Sequence, residues 1–100
     1  MIQKSINVSA TGDAIILQVS TGNINYIYDY CFVVGGAVTA ILKDEGTTEF
    51  ARYGFTAAGQ QMNVPPIGPG VNRFTAVGDL IINLSAGASV TGHFTYEPGR

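Results

Sequence analysis

Charged side chains are scarce in this sequence. Lysine and arginine number five and aspartate and glutamate seven, so charged residues make up 12% of the chain and the net charge is −2. Five scattered cations cannot form the basic face with which proteins displace counterions from nucleic acid. Hydrophobic residues reach 46%, whereas disorder requires low hydrophobicity and high charge. We therefore expect a folded protein that does not bind nucleic acid.

Cysteine and long apolar runs are equally limited. No run approaches the roughly 20 apolar residues that span a bilayer, and residues 1–13 lack the apolar stretch of a secretion signal. Cys31, the single cysteine, has no partner for an intramolecular disulfide. Its aromatic neighbours Tyr30 and Phe32 predict a buried thiol that acts as a small hydrophobe. We expect no membrane segment and synthesis in a reducing cytoplasm.

Residue patterns that carry catalysis or metal binding are missing. His93 is the only histidine, and the sequence contains no CxxC pair, no GxSxG and no DxDxDG run. His93 is therefore predicted to be a half-exposed strand residue. We expect no metal, no cofactor and no enzymatic activity.

Four of the seven acidic residues lie at turn positions, namely Asp13, Asp44, Glu45 and Asp79. These four lie beside glycines or at strand ends, where a short carboxylate bonds the local backbone. Asp29 instead lies between two tyrosines inside an apolar segment. Because a buried carboxylate needs a partner, we expect it to pair with Arg52, with Arg73 or with tyrosine hydroxyls.

Apolar residues recur at a period of two, and turn residues return about every eight to twelve positions, which is typical of sandwiches and barrels. We expect one domain, residues 1–100, with an all-β fold: an antiparallel two-sheet sandwich of jelly-roll or Greek-key type with eight or nine short strands. A small closed barrel is the alternative. Gly35-Gly36 is predicted to be a two-residue hairpin loop. The strands are predicted at residues 5–10, 14–20, 24–34, 37–44, 47–53, 60–64, 71–75, 80–85 and 89–97.

The segment 24–34 is apolar on both faces. Strict alternation puts Tyr26, Tyr28 and Tyr30 on one face, and Asp29 and Cys31 on the other. A sandwich strand normally has one wet face. We therefore expect both faces to be covered, one by the core and the other either by a second subunit or by the loop at 65–70. This loop contains three prolines and cannot form a central strand.

Short motifs follow one another in a fixed order from Ala10 to Pro98. The series opens with ATGD at 10–13, continues with VGGAVT at 34–39 and AVGDL at 76–80, and closes with VTGHFTY at 90–96. In these motifs the chain resembles a family of small virion structural proteins of tailed bacteriophages. It departs from that family at Asn23 and Asn25, where basic residues usually stand, and in the tyrosine-rich run 26–30.

The resemblance implies a capsid decoration, or cement, protein. Such a protein is a jelly-roll-like sandwich that forms a homotrimer on the major capsid protein at the outer surface of the virion, and it carries no catalytic residues. On this basis the subunit interface is predicted at Tyr26, Tyr28, Tyr30 and Asp29, and the capsid contact at Ile2, Pro65, Pro66 and Ile67.

Two other functions remain open. One is a glycan- or receptor-binding module of a phage head or tail fibre, with exposed aromatic side chains such as Tyr53 or Tyr96 at its site. The other is a head-completion or tail-tube component that forms rings.

Overall fold

The computed structural model describes residues 1–20, 22–45 and 48–99. Within these residues the chain forms nine β-strands and no helix, which confirms the all-β prediction. The strands are β1 (Ile2–Val8), β2 (Gly12–Leu17), β3 (Ile24–Val34), β4 (Val38–Asp44), β5 (Glu49–Phe55), β6 (Gln61–Val64), β7 (Phe74–Val77), β8 (Leu80–Leu84) and β9 (Val90–Pro98).

The strands form two antiparallel sheets. Sheet A has the order β1-β9-β3, with β6 and β7 both paired to the free side of β3, and sheet B has the order β2-β8-β4-β5. Early strands pair with late ones, in the pairs β1–β9, β2–β8, β3–β7 and β4–β5. In addition, β9 pairs with β3 in sheet A, and β8 pairs with β4 in sheet B. This interleaved order is that of a jelly roll, and it confirms the predicted sandwich.

Alternating apolar side chains from the two sheets make up the core. In β4 and β8 every second residue is buried, as the period-two pattern predicts. The largest fully buried side chains are those of Phe94, Ile27, Leu80, Ile82, Leu84, Val34, Val90 and Asn25.

Three strands depart from strict alternation through one extra residue each. The pairing shifts at Ile16 in β2, at Tyr28 in β3 and at Phe50 in β5. Such a bulge reverses the facing of every later residue in the strand. Asn25 and Ile27 therefore point into the core before the bulge in β3, and the buried positions after it start at Tyr30. The apolar character of both faces of this segment is the consequence of that change of phase.

The predicted Gly35-Gly36 hairpin loop is wrong, because β3 and β4 belong to different sheets. The two glycines cross from sheet A to sheet B, and the Gly35 amide donates to the carbonyl oxygen of Ser89 at 2.7 Å. A side chain at Gly35 would collide with the Ser89 hydroxyl and force it to move, so glycine is favoured at this crossing.

Strand ends also differ from the prediction in the outer strands. The first strand begins at Ile2 rather than residue 5. The sequence pattern missed its first residues because they are exposed and show no apolar alternation. The strand predicted at 71–75 begins at Phe74, since the Arg73 side chain still bonds the Pro65 carbonyl at the start of the preceding loop. Thr47, where the fifth strand was predicted to start, lies outside the described residues.

Candidate interaction surface

Part of the outward face of sheet A is polar and uncharged. Because β1, β9, β3 and β6 lie side by side in register, their outward residues face one another in two rows across the sheet. No lysine, arginine or carboxylate belongs to either row. The first row contains Ser5, His93, Cys31 and Asn63, and the second contains Asn7, Thr91, Val33 and Gln61.

Two adjoining depressions lie along this face, and together we call them the sheet A groove. Their volumes are about 260 and 180 Å³, and both are lined by Cys31 and Asn63. The larger extends toward Gln61, and the smaller ends at Pro65 and Pro66. The proline-rich loop therefore borders the outer side of β3 without closing over it, and Val33 stays 38% exposed.

The only cysteine and the only histidine of the chain meet in the floor of this groove. The Cys31 Sγ lies 3.5 Å from Nδ1 and 3.4 Å from Nε2 of His93. The predicted burial of Cys31 is wrong: the side chain is half-buried and lines both depressions.

This thiol–imidazole pair contains the nucleophile and the base of nucleophilic catalysis, but not the group that orients the base. A ring nitrogen can accept the thiol proton, but a catalytic base also needs a third group that orients it. Among the described residues His93 has no side-chain hydrogen-bond partner other than Cys31. The same residues contain no group of three or more histidine, cysteine or acidic side chains that could hold a metal ion.

The four predicted interface residues divide between core and surface. Tyr30 is 5% exposed, packs in the core and places its hydroxyl against that of Tyr53. Tyr28 is 7% exposed, and its hydroxyl lies 3.4 Å from a Glu97 carboxylate oxygen. Burial raises the pKa of both hydroxyls. Only Tyr26 and Asp29 are half-exposed. The bulge at Tyr28 puts these two residues on the same outer face, whereas strict alternation would put them on opposite faces.

The predicted pairing of Asp29 with an arginine is wrong. Arg52 forms an ion pair with Glu49 at 2.7 Å, and the Arg73 guanidinium bonds a backbone carbonyl. Asp29 instead lines the smaller depression of the sheet A groove.

The predicted capsid-contact residues of the proline-rich loop form an exposed apolar projection. Pro65 and Pro66 are exposed, and Ile67 and Val71 are 57% and 45% exposed. Arg73 fastens the base of the loop, since its Nε and Nη2 donate to the Pro65 carbonyl oxygen at 2.9 and 2.6 Å. A backbone bridge between Gly68 and Val71 closes its tip.

Ile2, the fourth predicted contact residue, is 46% exposed but lies away from this loop. It belongs to β1, at the opposite edge of sheet A. With β9 and β3 between them, β1 and β7 are three strand spacings apart, or roughly 14 Å. A contact that uses both must therefore be broad.

The outer face of sheet B has the opposite character, because it carries ion pairs. The Asp13 carboxylate accepts a hydrogen bond from Asn83 at 2.7 Å and lies 3.1 Å from the Lys43 ammonium. These contacts, the Asn83 bond foremost, lower the pKa of Asp13. Ile15 on this face is 54% exposed.

The glycan-site aromatics predicted from the sequence are not freely exposed. Tyr53 and Tyr96 are both half-buried and pack against the core. Sequence reasoning had no means of finding the Cys31–His93 contact, because it depends on the register of two strands whose contacting residues are 62 positions apart.

No protein-family model, curated protein or solved structure matches this chain. None of the described residues belongs to a helix that could cross a membrane.

Proposed function

We propose that this chain is a capsid decoration protein of a tailed phage. In this role it binds the major capsid protein as a homotrimer at the outer surface of the virion, stabilises the shell and catalyses no reaction. The sequence resemblance indicates the capsid as partner. The exposed apolar surface of the proline-rich loop, with the adjoining Val71, is the observation that most supports a protein contact.

The loop suits this role because it is apolar, exposed and held in place before binding. Two hydrogen bonds from Arg73 to the Pro65 carbonyl fix its base. The fixed φ angles of its prolines restrict it further. A loop that is ordered in the free protein loses little conformational entropy on binding. The apolar side chains of Ile67 and Val71 then add burial to the contact.

One loop is smaller than a stable interface, which takes about 800 Å² from each partner. A homotrimer would present three such loops to one shell and thereby strengthen binding through effective concentration. Tyr26 and Asp29, which are half-exposed on the outer face of sheet A, are the predicted interface residues that remain available for the seam.

The test is cosedimentation with empty shells of the phage that carries this chain. The wild-type protein is expected to pellet with the shells. Replacing Ile67 and Val71 by serine should reduce binding at least tenfold, because two exposed apolar contacts are lost. The control is Ile15→Ser on sheet B, where the isoleucine is similarly exposed. Wild-type protein that stays in the supernatant would overturn the proposal, and equal binding by all three proteins would remove the loop from the contact.

A glycan-binding module is the second candidate, and the sheet A groove, which is lined mostly by uncharged side chains, favours it. Neutral sugars are bound by side chains that both donate and accept hydrogen bonds, and Gln61, Asn63 and Thr91 supply these. Amide chemical-shift changes with maltotriose and with an N-acetylglucosamine trimer would test it. Shifts confined to the groove and abolished by Asn63→Ala would support this function, and unchanged spectra with both sugars would count against it.

A further inference from the structure

Each sheet of a jelly roll has two edges, and the four edges of this molecule differ in how they are protected. An edge strand exposes unpaired backbone N–H and C=O groups, so soluble proteins interrupt such strands with bulges, prolines or charges. The edge formed by β6 and β7 is broken by the proline-rich loop. The edge strands β2 and β5 each contain a bulge, at Ile16 and Phe50, and β5 also carries the Arg52–Glu49 ion pair.

The fourth edge, β1, contains neither a bulge nor a proline, and one lysine is its only charge. Its pairing with β9 runs without interruption from Ile2 opposite Tyr96 to Val8 opposite Val90. It is seven residues long, contains no proline, and has Lys4 as its single charge. Among the described residues it hydrogen-bonds to one neighbour only. β1 is thus a regular open edge of the kind that accepts another strand.

We propose that β1 binds β1 of a second copy of this chain, in antiparallel orientation, so that two copies of sheet A join into one continuous sheet. An antiparallel pair of identical strands is related by a two-fold axis, so each copy uses the same surface. Only the register centred on Ser5 pairs all seven residues of the strand.

The side chains are compatible with this register. Ile2 of one copy faces Val8 of the other, which covers an isoleucine that is 46% exposed in the single chain. Gln3 faces Asn7, and the two Ser5 residues face each other across the axis. Lys4 faces Ile6 rather than the second Lys4, so no like charges oppose one another.

This pairing is independent of the trimer in the proposed function, because a two-fold contact cannot close a ring of three. Sedimentation equilibrium therefore separates the two proposals. A dimer supports the β1 pairing alone, a trimer supports the proposed seam and overturns the β1 pairing, and a hexamer supports both. A monomer overturns both self-association proposals while leaving shell binding to be decided by cosedimentation.

Charge substitutions at Gln3 and Asn7 test the register itself. Lysine at both positions places lysine opposite lysine twice in the interface, whereas Gln3→Lys with Asn7→Glu places lysine opposite glutamate twice. Because directly opposed like charges destabilise a strand pair and opposite charges stabilise it, we expect the first variant to dissociate at least tenfold more readily than the second. The matched control is lysine at Gln61 and Asn63, the same residue types at the other edge of sheet A.

Equal dissociation of the two β1 variants would overturn the register, and dissociation by the control variant would place the contact elsewhere. A covalent test uses Ser5→Cys in a Cys31→Ser background, with oxidised glutathione as the oxidant. Because the two residues at position 5 face each other in this register, a disulfide-linked dimer is expected. A chain that stays monomeric under these conditions would contradict the pairing.

Discussion

Asp44 carries one of the largest predictable contributions to the stability of this protein. The residue is 3% exposed at the end of β4 in sheet B. Its Oδ1 accepts the amide hydrogen of Thr48 at 3.0 Å, and its Oδ2 accepts that of Val77, in sheet A, at 3.1 Å. One buried carboxylate therefore binds the residue that precedes β5 and joins the two sheets.

We expect Asp44→Asn to lower the free energy of unfolding by about 3 kcal/mol. Asparagine retains one oxygen, so its NH₂ group must face one of the two amide hydrogens. A hydrogen bond to a charged group contributes about 1.5–3 kcal/mol, and an NH₂ group that faces a partly buried amide hydrogen adds to the loss. For a domain of this size the expected fall in melting temperature is roughly 15 °C, at about 4–8 °C for each kcal/mol.

Urea unfolding followed by circular dichroism measures this loss, with Asp13→Asn as the matched control. The Asp13 side chain is 51% exposed and its ion pair with Lys43 is solvated, so its replacement should cost less than about 1 kcal/mol. A loss below about 1 kcal/mol for Asp44→Asn, or a loss equal to that of the control, would show that the two hydrogen bonds do not hold the sheets together.

Three further predictions use the same unfolding assay. The Asn25 side chain is 2% exposed and its Nδ2 has no hydrogen-bond partner among the described residues. Asn25→Leu should therefore stabilise the fold by about 1 kcal/mol, whereas the control Asn63→Leu, on the surface, should not. A lower urea midpoint for Asn25→Leu would contradict this prediction. Ile82→Ala should lower the free energy of unfolding by about 2–5 kcal/mol because Ile82 is fully buried, whereas Ile15→Ala should change it by no more than about 0.5 kcal/mol. Similar losses for the two variants would contradict the burial of Ile82 in the core and the exposure of Ile15. Burial raises the pKa of Tyr30, so its contribution to stability is intact below about pH 10, where a free tyrosine ionises. This contribution is lost as the pH rises above that value toward the folded pKa. Tyr30→Phe should therefore flatten the alkaline decline in the free energy of unfolding, and an unchanged dependence on pH would mean that another group causes the decline.

Strand positions and fold class were accessible from local pattern alone. Alternating apolar residues in β4 and β8, with glycines and prolines between the apolar segments, are enough to predict strands, and the absence of helical periodicity leaves antiparallel sheets. The projecting loop was also predictable, because prolines cannot donate to a sheet ladder. In these cases each residue's preference depends on its near neighbours in the chain.

The candidate surface depended on features that no local pattern contains. One extra residue at Tyr28 sends Tyr30 into the core and leaves Tyr26 outside, although all three look equivalent in the sequence. Bulges arise where two paired strands must both satisfy the core, so they are decided by the partner strand.

The sequence by itself therefore determined that this chain is built of short antiparallel strands with an apolar, proline-rich loop, and the structure decided between a sandwich and a closed barrel. Tertiary structure decided which strand is an open edge, which loop crosses between sheets and which side chains share the groove. Cys31 and His93 illustrate the reason: they are 62 positions apart, and only the register of β3 against β9 brings them together. Register is set by hydrogen bonds and packing between distant segments, and the neighbours of a residue along the chain do not encode it.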